Sequence, residues 1–304
     1  MNAMTGANDK LLCASASIYA CSPSSDEWAF LHAVLCQVGL PRSRIAGNEF
    51  MRQSGDAWVN VQAGWLDEGR GPVRQTVPYG AMPRLALAWI STTAVKQRQR
   101  EIHIGDSASE FLKAMGMGDE GKRYATLRKQ MHALAACRLQ LGCKGRTFSG
   151  QPIEQFDAWI DNRDSGQRAL WPGALVLSDR YYDSLIESAV PLDKRALLAL
   201  KGSSLALDIY AWLAHRLHRV GSKVTLQWSV LRAQFGQEYK GKDPDKDFRR
   251  EFLQALNKVL TVYPAAKVEV VTGGLSLRSS PPPVKLKTQF SLPAKPPPQK
   301  RPRP

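Results

Sequence analysis

The stretch from Lys223 to Arg278 constrains this chain most, because its hydrophobic period changes in a fixed succession. A strand-like Lys223–Trp228 precedes an apolar-faced Ser229–Phe235, a turn, a long basic amphipathic segment and two alternating strands. The long segment opens at Asp243-Pro244-Asp245, where an Asp can cap orphan amides and Pro takes the first helical position. Phe248, Phe252, Ala255, Leu256, Val259 and Val262 then recur at helical spacing and predict one buried stripe. At about 100° per residue, Lys246, Arg250, Gln254, Asn257 and Thr261 gather on the opposite side, flanked by Arg249.

Beyond Tyr263-Pro264, Lys267–Thr272 and Leu275–Arg278 alternate about Gly273-Gly274, which predicts a hairpin. Val268, Val270, Leu275 and Leu277 are expected to face inward, with Lys267 and Arg278 near its open end. Strand, helix, turn, basic helix and hairpin in this order is the grammar of a winged helix-turn-helix that reads duplex DNA. Arg250, Gln254 and Asn257 are expected at base edges, since Arg matches guanine while Gln and Asn match adenine. Lys246, Arg249, Lys267 and Arg278 are expected at phosphates. The plainer alternative is a small α+β domain whose basic helix is only a solvated face.

The 304 residues suffice for two domains, and the net charge of +15 points to a polyanionic partner. The charge is unevenly spread. Residues 1–75 carry a net −1 and residues 76–304 a net +16, so the excess lies with the helix-turn-helix pattern. Cys13, Cys21, Cys36, Cys137 and Cys143 form no Cys-x-x-Cys pair and have no His at zinc spacing, as expected of reduced thiols in a cytoplasmic protein. Leu11–Cys21 faintly echoes a lipoprotein cleavage site but lacks a basic start, and it reads as part of a flexible leader. No stretch approaches membrane-spanning length, so no membrane partner is expected.

Asp26–Gln37 reads as an apolar helix, Trp58, Val59, Val61 and Trp65 as a strand or hairpin, and Pro83–Gln97 as a helix. A short strand Glu101–Ile104 and helices Asp106–Met115 and Lys122–Cys137 then repeat the later order, separated by the turn Gly116–Gly121. On the second of these helices Tyr124, Leu127, Met131 and Leu134 are expected inward, and Lys122, Thr126 and Lys129 outward, flanked by Arg123 and Gln130. Arg138–Lys144 and Ala174–Leu177 are expected to supply the wing strands around a polar excursion, Gly145–Gly166. Lys122, Arg123 and Lys129 are the DNA-binding candidates of this first unit.

Tyr181–Ile186, Leu192–Leu200 and Ser204–Val220 are expected as further helices. The predicted fold class is α+β: tandem winged-helix domains followed by a disordered, basic, Pro-rich tail. The expected boundaries are a flexible leader over 1–25, an embellished winged-helix domain over 26–187, a winged-helix domain over 188–280, and a tail over 281–304. That tail holds nine prolines, six Lys or Arg and no acid, and is expected to be partly polyproline II.

The wording of the sequence carries a resemblance. Val77-Pro-Tyr-Gly-Ala-Met-Pro-Arg-Leu-Ala-Leu-Ala-Trp-Ile90 and Glu101-Ile-His-Ile-Gly-Asp-Ser-Ala-Ser-Glu-Phe-Leu112 are similar to the plasmid-encoded RepA family of replication initiators. So are the stretch from Val190-Pro-Leu-Asp-Lys-Arg195 through Leu213, Gln234-Phe-Gly, Phe248-Arg-Arg and Val262-Tyr-Pro-Ala-Ala. The resemblance covers roughly residues 75–280. It implies an initiator that binds repeated sites in double-stranded plasmid origin DNA, helps open the duplex and recruits the host replication initiator and replicative helicase. It also implies two winged-helix domains, the second making the tighter DNA contact and the first contributing to homodimer contacts. The turn Gly116–Gly121 and the loop Asp157–Asp164 depart from that pattern.

Enzyme readings fare less well in the sequence. Gly116–Lys122 has the spacing of a phosphate-binding loop, but Arg123 stands where Ser or Thr would hold magnesium, and a helix precedes it. Tyr181-Tyr182 could suggest nicking tyrosines, a chemistry that needs a metal held by a close His pair. Of His32, His103, His132, His215 and His218, only the last two are close, and they lie on an apolar-rich helix. Asp106, Asp119 and Glu120 sit at helix starts, where capping explains them. No catalytic residue, metal or cofactor is therefore expected. Two readings stay open, an origin-binding initiator and a transcriptional repressor. Direct repeats beside an AT-rich tract would favour the first, and a short palindrome the second.

Overall fold

The computed structural model describes residues 2–69, 71–105, 107–118, 121–156 and 173–285, without the side chains of 2–8 and 121–122. The chain starts in helix α1 (Asn2–Ala20), then strand β1 (Trp28–His32) and helix α2 (Ala33–Gln37). Residues Trp28–His32, expected as helix, are a strand paired antiparallel with Ala189–Asp193. A short apolar run buried on both faces has no period that separates helix from strand. His32 closes the strand and caps α2, its Nδ1 accepting from the Val34 amide at 3.2 Å.

Strands β2 (Glu49–Ser54) and β3 (Ala57–Gln62) form a hairpin, as do β4 (Trp65–Asp67) and β5 (Pro72–Arg74). Helix α3 (Ala81–Gln97), strand β6 (Glu101–His103) and helices α4 (Ala108–Ala114) and α5 (Gly121–Ala136) follow. Strands β7 (Arg138–Cys143) and β8 (Arg146–Gly150) then extend the first hairpin into a sheet of order β2-β3-β7-β8. Strands β9 (Ile153–Phe156) and β10 (Ala174–Leu177) return to β6 in the order β6-β10-β9. Arg138–Lys144 is thus not the partner of Ala174–Leu177. The alternating Leu139 and Leu141 of β7 are buried against β3 instead, and β9 takes the place beside β10. The loop Asp157–Asp164 lies outside the described residues.

Helix α6 (Asp179–Ser188) leads into β11 (Ala189–Asp193), α7 (Lys194–Ala199) and α8 (Ser204–Arg216). Strand β12 (Val224–Gln227), helices α9 (Trp228–Phe235) and α10 (Pro244–Val262), and strands β13 (Val268–Val271) and β14 (Gly274–Leu277) complete the order. The sheet order is β12-β14-β13. Apart from the inserted β7–β8 hairpin, the succession of helix, strand, two helices and two strands therefore occurs twice, each time with the last strand in the middle. The hairpin turn is Thr272-Gly273, one residue earlier than expected. Gly273 takes the left-handed conformation (φ 87°), whereas Gly274 enters the strand, where a Cβ would lie 1.9 Å from the Leu226 carbonyl oxygen. Leu275 and Leu277 are buried as expected, but Val270, on the edge strand, is exposed.

Residues 2–20, expected as a flexible leader, are helical. Leu11, Ala14, Ser15 and Ile18 turn inward at helical spacing, and Arg195 donates to the carbonyls of Ser17 (3.3 Å) and Cys21 (3.2 Å) at the helix C-terminus. Residues 281–285, expected as the start of the disordered tail, are placed against the fold. The Tyr263 hydroxyl donates to the Pro281 carbonyl at 2.8 Å and Val284 is buried, while residues 286–304 lie outside the described part.

One hydrophobic core runs through both repeats. Within it Arg84 of α3 meets Asp208 of α8, Nε to Oδ1 at 2.6 Å and Nη2 to Oδ2 at 2.8 Å, both side chains below 9% exposed. Arg84 also donates to the carbonyls of Leu40, Pro41 and Gly80, so its donors are satisfied. A second cluster joins Arg42 and the fully buried Arg52 to Glu238, which follows α9. Burial opposes ionisation of Glu238, yet Arg52 and Arg42 hold its carboxyl below the usual carboxylate range.

Arg84→Ala should cost about 3–5 kcal/mol by leaving Asp208 buried and unpaired, as read by denaturant unfolding. His32 supplies a pH dependence. Burial lowers its pKa to about 4, below the unfolded value, so its neutral form stabilises the fold above about pH 6.5 and that contribution is lost as pH falls towards 4. His32→Asn should remove up to about 3 kcal/mol of the acid-side decline, measured by unfolding at pH 7 and pH 4.

Candidate nucleic-acid interface

Helix α10 is fixed from its start. Asp243 accepts from the Lys246 amide at 3.1 Å, Pro244 occupies the first turn, and Asp245 and Asp247 favour the helix N-terminus. Phe248, Phe252, Ala255, Leu256, Val259 and Val262 are all buried, as the stripe predicts. Phe252 packs among Phe235, Phe248 and Trp228 with ring centroids 5.4–5.9 Å apart. This packing sets which side of α10 meets solvent.

Lys246, Arg249 and Arg250 line an open groove between α9 and α10, with Trp228, Arg232 and Leu253. Gln254 and Asn257 are exposed farther along the helix. Thr261 is half-buried, because α1 crosses the end of α10 and Ser15 Oγ donates to the Thr261 carbonyl at 2.7 Å. Two cations of the groove already have acidic neighbours. Arg250 meets Asp247 at 2.9 Å and Arg232 meets Asp245 at 2.7 Å. Such exposed pairs are weak and exchangeable.

Lys267 and Arg278 sit together at the base of the hairpin, where the Arg278 amide donates to the Lys267 carbonyl at 3.0 Å. Arg278 also approaches Glu269 at 3.6 Å. The other end of the hairpin abuts the groove, since the Trp228 amide donates to the Gly273 carbonyl at 3.0 Å. Arg249, whose guanidinium lies 5.0 Å from the Trp228 ring centroid, is therefore the groove cation tied most directly to the turn. Sequence reasoning misses Trp228 and Arg232; a Trp at a strand-to-helix junction is the available signal.

In the first repeat, Lys129 is exposed on α5 and Arg123 is half-buried, while the Lys122 side chain lies outside the described residues. Gln130 does not flank them outward: it is buried, and its Oε1 accepts from the Tyr79 amide at 2.7 Å. Gly116 has φ 74° and ends α4, its amide donating to the Lys113 carbonyl at 2.8 Å. Asp106, Asp119 and Glu120 lie outside the described residues.

Tyr181 is fully buried, packed on His32 and Phe148, and burial raises its hydroxyl pKa. Tyr182 is half-buried. His218 Nδ1 lies 3.1 Å from the Ala214 carbonyl, and His215 contacts Arg219. Among the described residues, no group of three or more His, Cys, Asp or Glu side chains could hold a metal ion, and no helix is long and apolar enough to cross a membrane.

The profile of the plasmid-encoded RepA protein family matches residues 77–230. No curated protein sequence matches the chain. Among solved structures, a selenomethionine form of domains 2 and 3 of RctB is similar with a TM-score of 0.47 and 14% identity, over 73% of this chain and 83% of that one. A second crystal structure of RctB domains 2–3 gives 0.47 and 11% identity, over 80% of this chain and 94% of that one. The family match spans half of the sequence, and this chain belongs to the plasmid-encoded RepA protein family.

Proposed function

We propose that this chain is a plasmid replication initiator that binds repeated sites in double-stranded origin DNA through tandem winged-helix units. The observation that carries the reading is the outer side of α10, where Lys246, Arg249, Arg250, Gln254 and Asn257 are exposed above a fully apolar buried stripe. Family membership supports the initiator role. The repeated order of helix, strand, two helices and two strands, with matching strand orders, supports the winged-helix assignment.

In this reading Arg250, Gln254 and Asn257 face base edges, and Lys246 and Arg249 face phosphate. Lys267 and Arg278 contact phosphate from the hairpin base, and Lys122, Arg123 and Lys129 serve the first unit. Duplex opening and recruitment of the host initiator and helicase follow binding, without a cofactor and without strand cleavage by this chain. The buried position of Tyr181 supports that non-enzymatic reading.

Footprinting on the DNA flanking the gene, with nonspecific competitor, should show regularly spaced protection over direct repeats. A lone protected palindrome would favour a repressor, and no specific protection would overturn the proposal. Arg250→Ala should cost about 1–3 kcal/mol at the specific site and relax discrimination at one base pair. Equal losses on specific and random DNA, in a competition titration, would contradict base reading by Arg250.

A further inference from the structure

We propose that Trp228 is a positioning residue that holds Arg249 as a phosphate clamp tied to the hairpin turn. This deepens the DNA-binding reading and rests on it. Trp228 joins three elements: it starts α9, its amide donates to the Gly273 carbonyl at 3.0 Å, and its ring meets Phe252 edge-on with centroids 5.9 Å apart. The hairpin turn is pinned to the same place, because Gly274 runs against the Leu226 carbonyl and Gln227 Cα. The Trp228 ring is therefore held from the backbone side and from the core side.

Arg249 lies over that ring, 5.0 Å from the guanidinium carbon to the centroid. The aromatic face attracts the charge without using an N–H donor in a hydrogen bond, so a phosphate can still accept two N–H bonds from the guanidinium. An arginine held in this way loses less rotamer freedom on binding than a solvated one. Its position also depends on the hairpin turn, so phosphate contact by Arg249 and placement of the hairpin are coupled. Arg250 and Arg232, in the same groove, meet only the exposed carboxylates of Asp247 and Asp245, which are weak and exchangeable partners. Arg249 is thus the groove arginine oriented by an aromatic ring, with the phosphate backbone as its ligand.

The test is a double-mutant cycle in the full chain, reading affinity for a random-sequence duplex of about 30 base pairs across a salt series. Arg249→Ala should lower the salt slope by about one. Trp228→Leu should weaken binding about two- to fivefold, the worth of an exposed cation–π contact, and Trp228→Phe should restore most of that loss. In the Arg249→Ala background, Trp228→Leu should have no further effect. A merely structural Trp228 would weaken binding equally in both backgrounds, which would overturn the proposal. An unchanged salt slope in Arg249→Ala would overturn it too, even if Trp228→Leu failed to fold. If the unaltered chain bound no duplex, the DNA-binding reading itself would fall.

Discussion

The contact between Arg84 and Asp208 joins the two repeats inside their shared core. A buried pair of this kind is tolerable only when every donor finds an acceptor. Three carbonyls, those of Leu40, Pro41 and Gly80, complete the set. The backbone at Gly39 runs directly against Asp208, where a Cβ would lie 2.5 Å from a carboxylate oxygen. The segment before the first repeat is consequently part of the joint, and β1 pairing with β11 continues it. Arg42 and Arg52 extend the connection to Glu238, in the turn between α9 and α10. The helix proposed to read DNA is therefore anchored at its entry by residues from the far end of the sequence.

The two repeats differ in what surrounds them. The first carries the β7–β8 hairpin in a four-stranded sheet with β2 and β3, whereas the second leaves the outer side of α10 open over most of its length. The α1 helix meets the last turn of α10, where Ser15 Oγ donates to the Thr261 carbonyl. The groove at the start of α10 remains accessible, and there charge, an aromatic ring and the hairpin turn meet.

Local signals in the sequence suffice where one face of an element is apolar. The stripe from Phe248 to Val262, the Asp243 cap and the hairpin after Tyr263 all follow from period and turn chemistry. Trp28–His32 reads as helix because its burial on both faces erases the period. Arg138–Lys144 is paired with the wrong strand because alternation sets a strand's faces, not its neighbour. The docking of α1 is hidden because, among the described side chains, its stripe holds only Leu11 and Ile18 as large apolar residues, and Arg195, far along the chain, completes its C-terminus. At the site, exposure of the reading side chains is legible, but the stacking of Arg249 on Trp228 depends on tertiary placement.

The buried pair joins the two repeats into one cooperative body that presents α10. Urea unfolding of the full chain, followed by hydrogen exchange in α5 and in α10, tests it most directly. Coincident transitions in both helices are the predicted result. Loss of protection in one helix at a clearly lower urea concentration than in the other would contradict it.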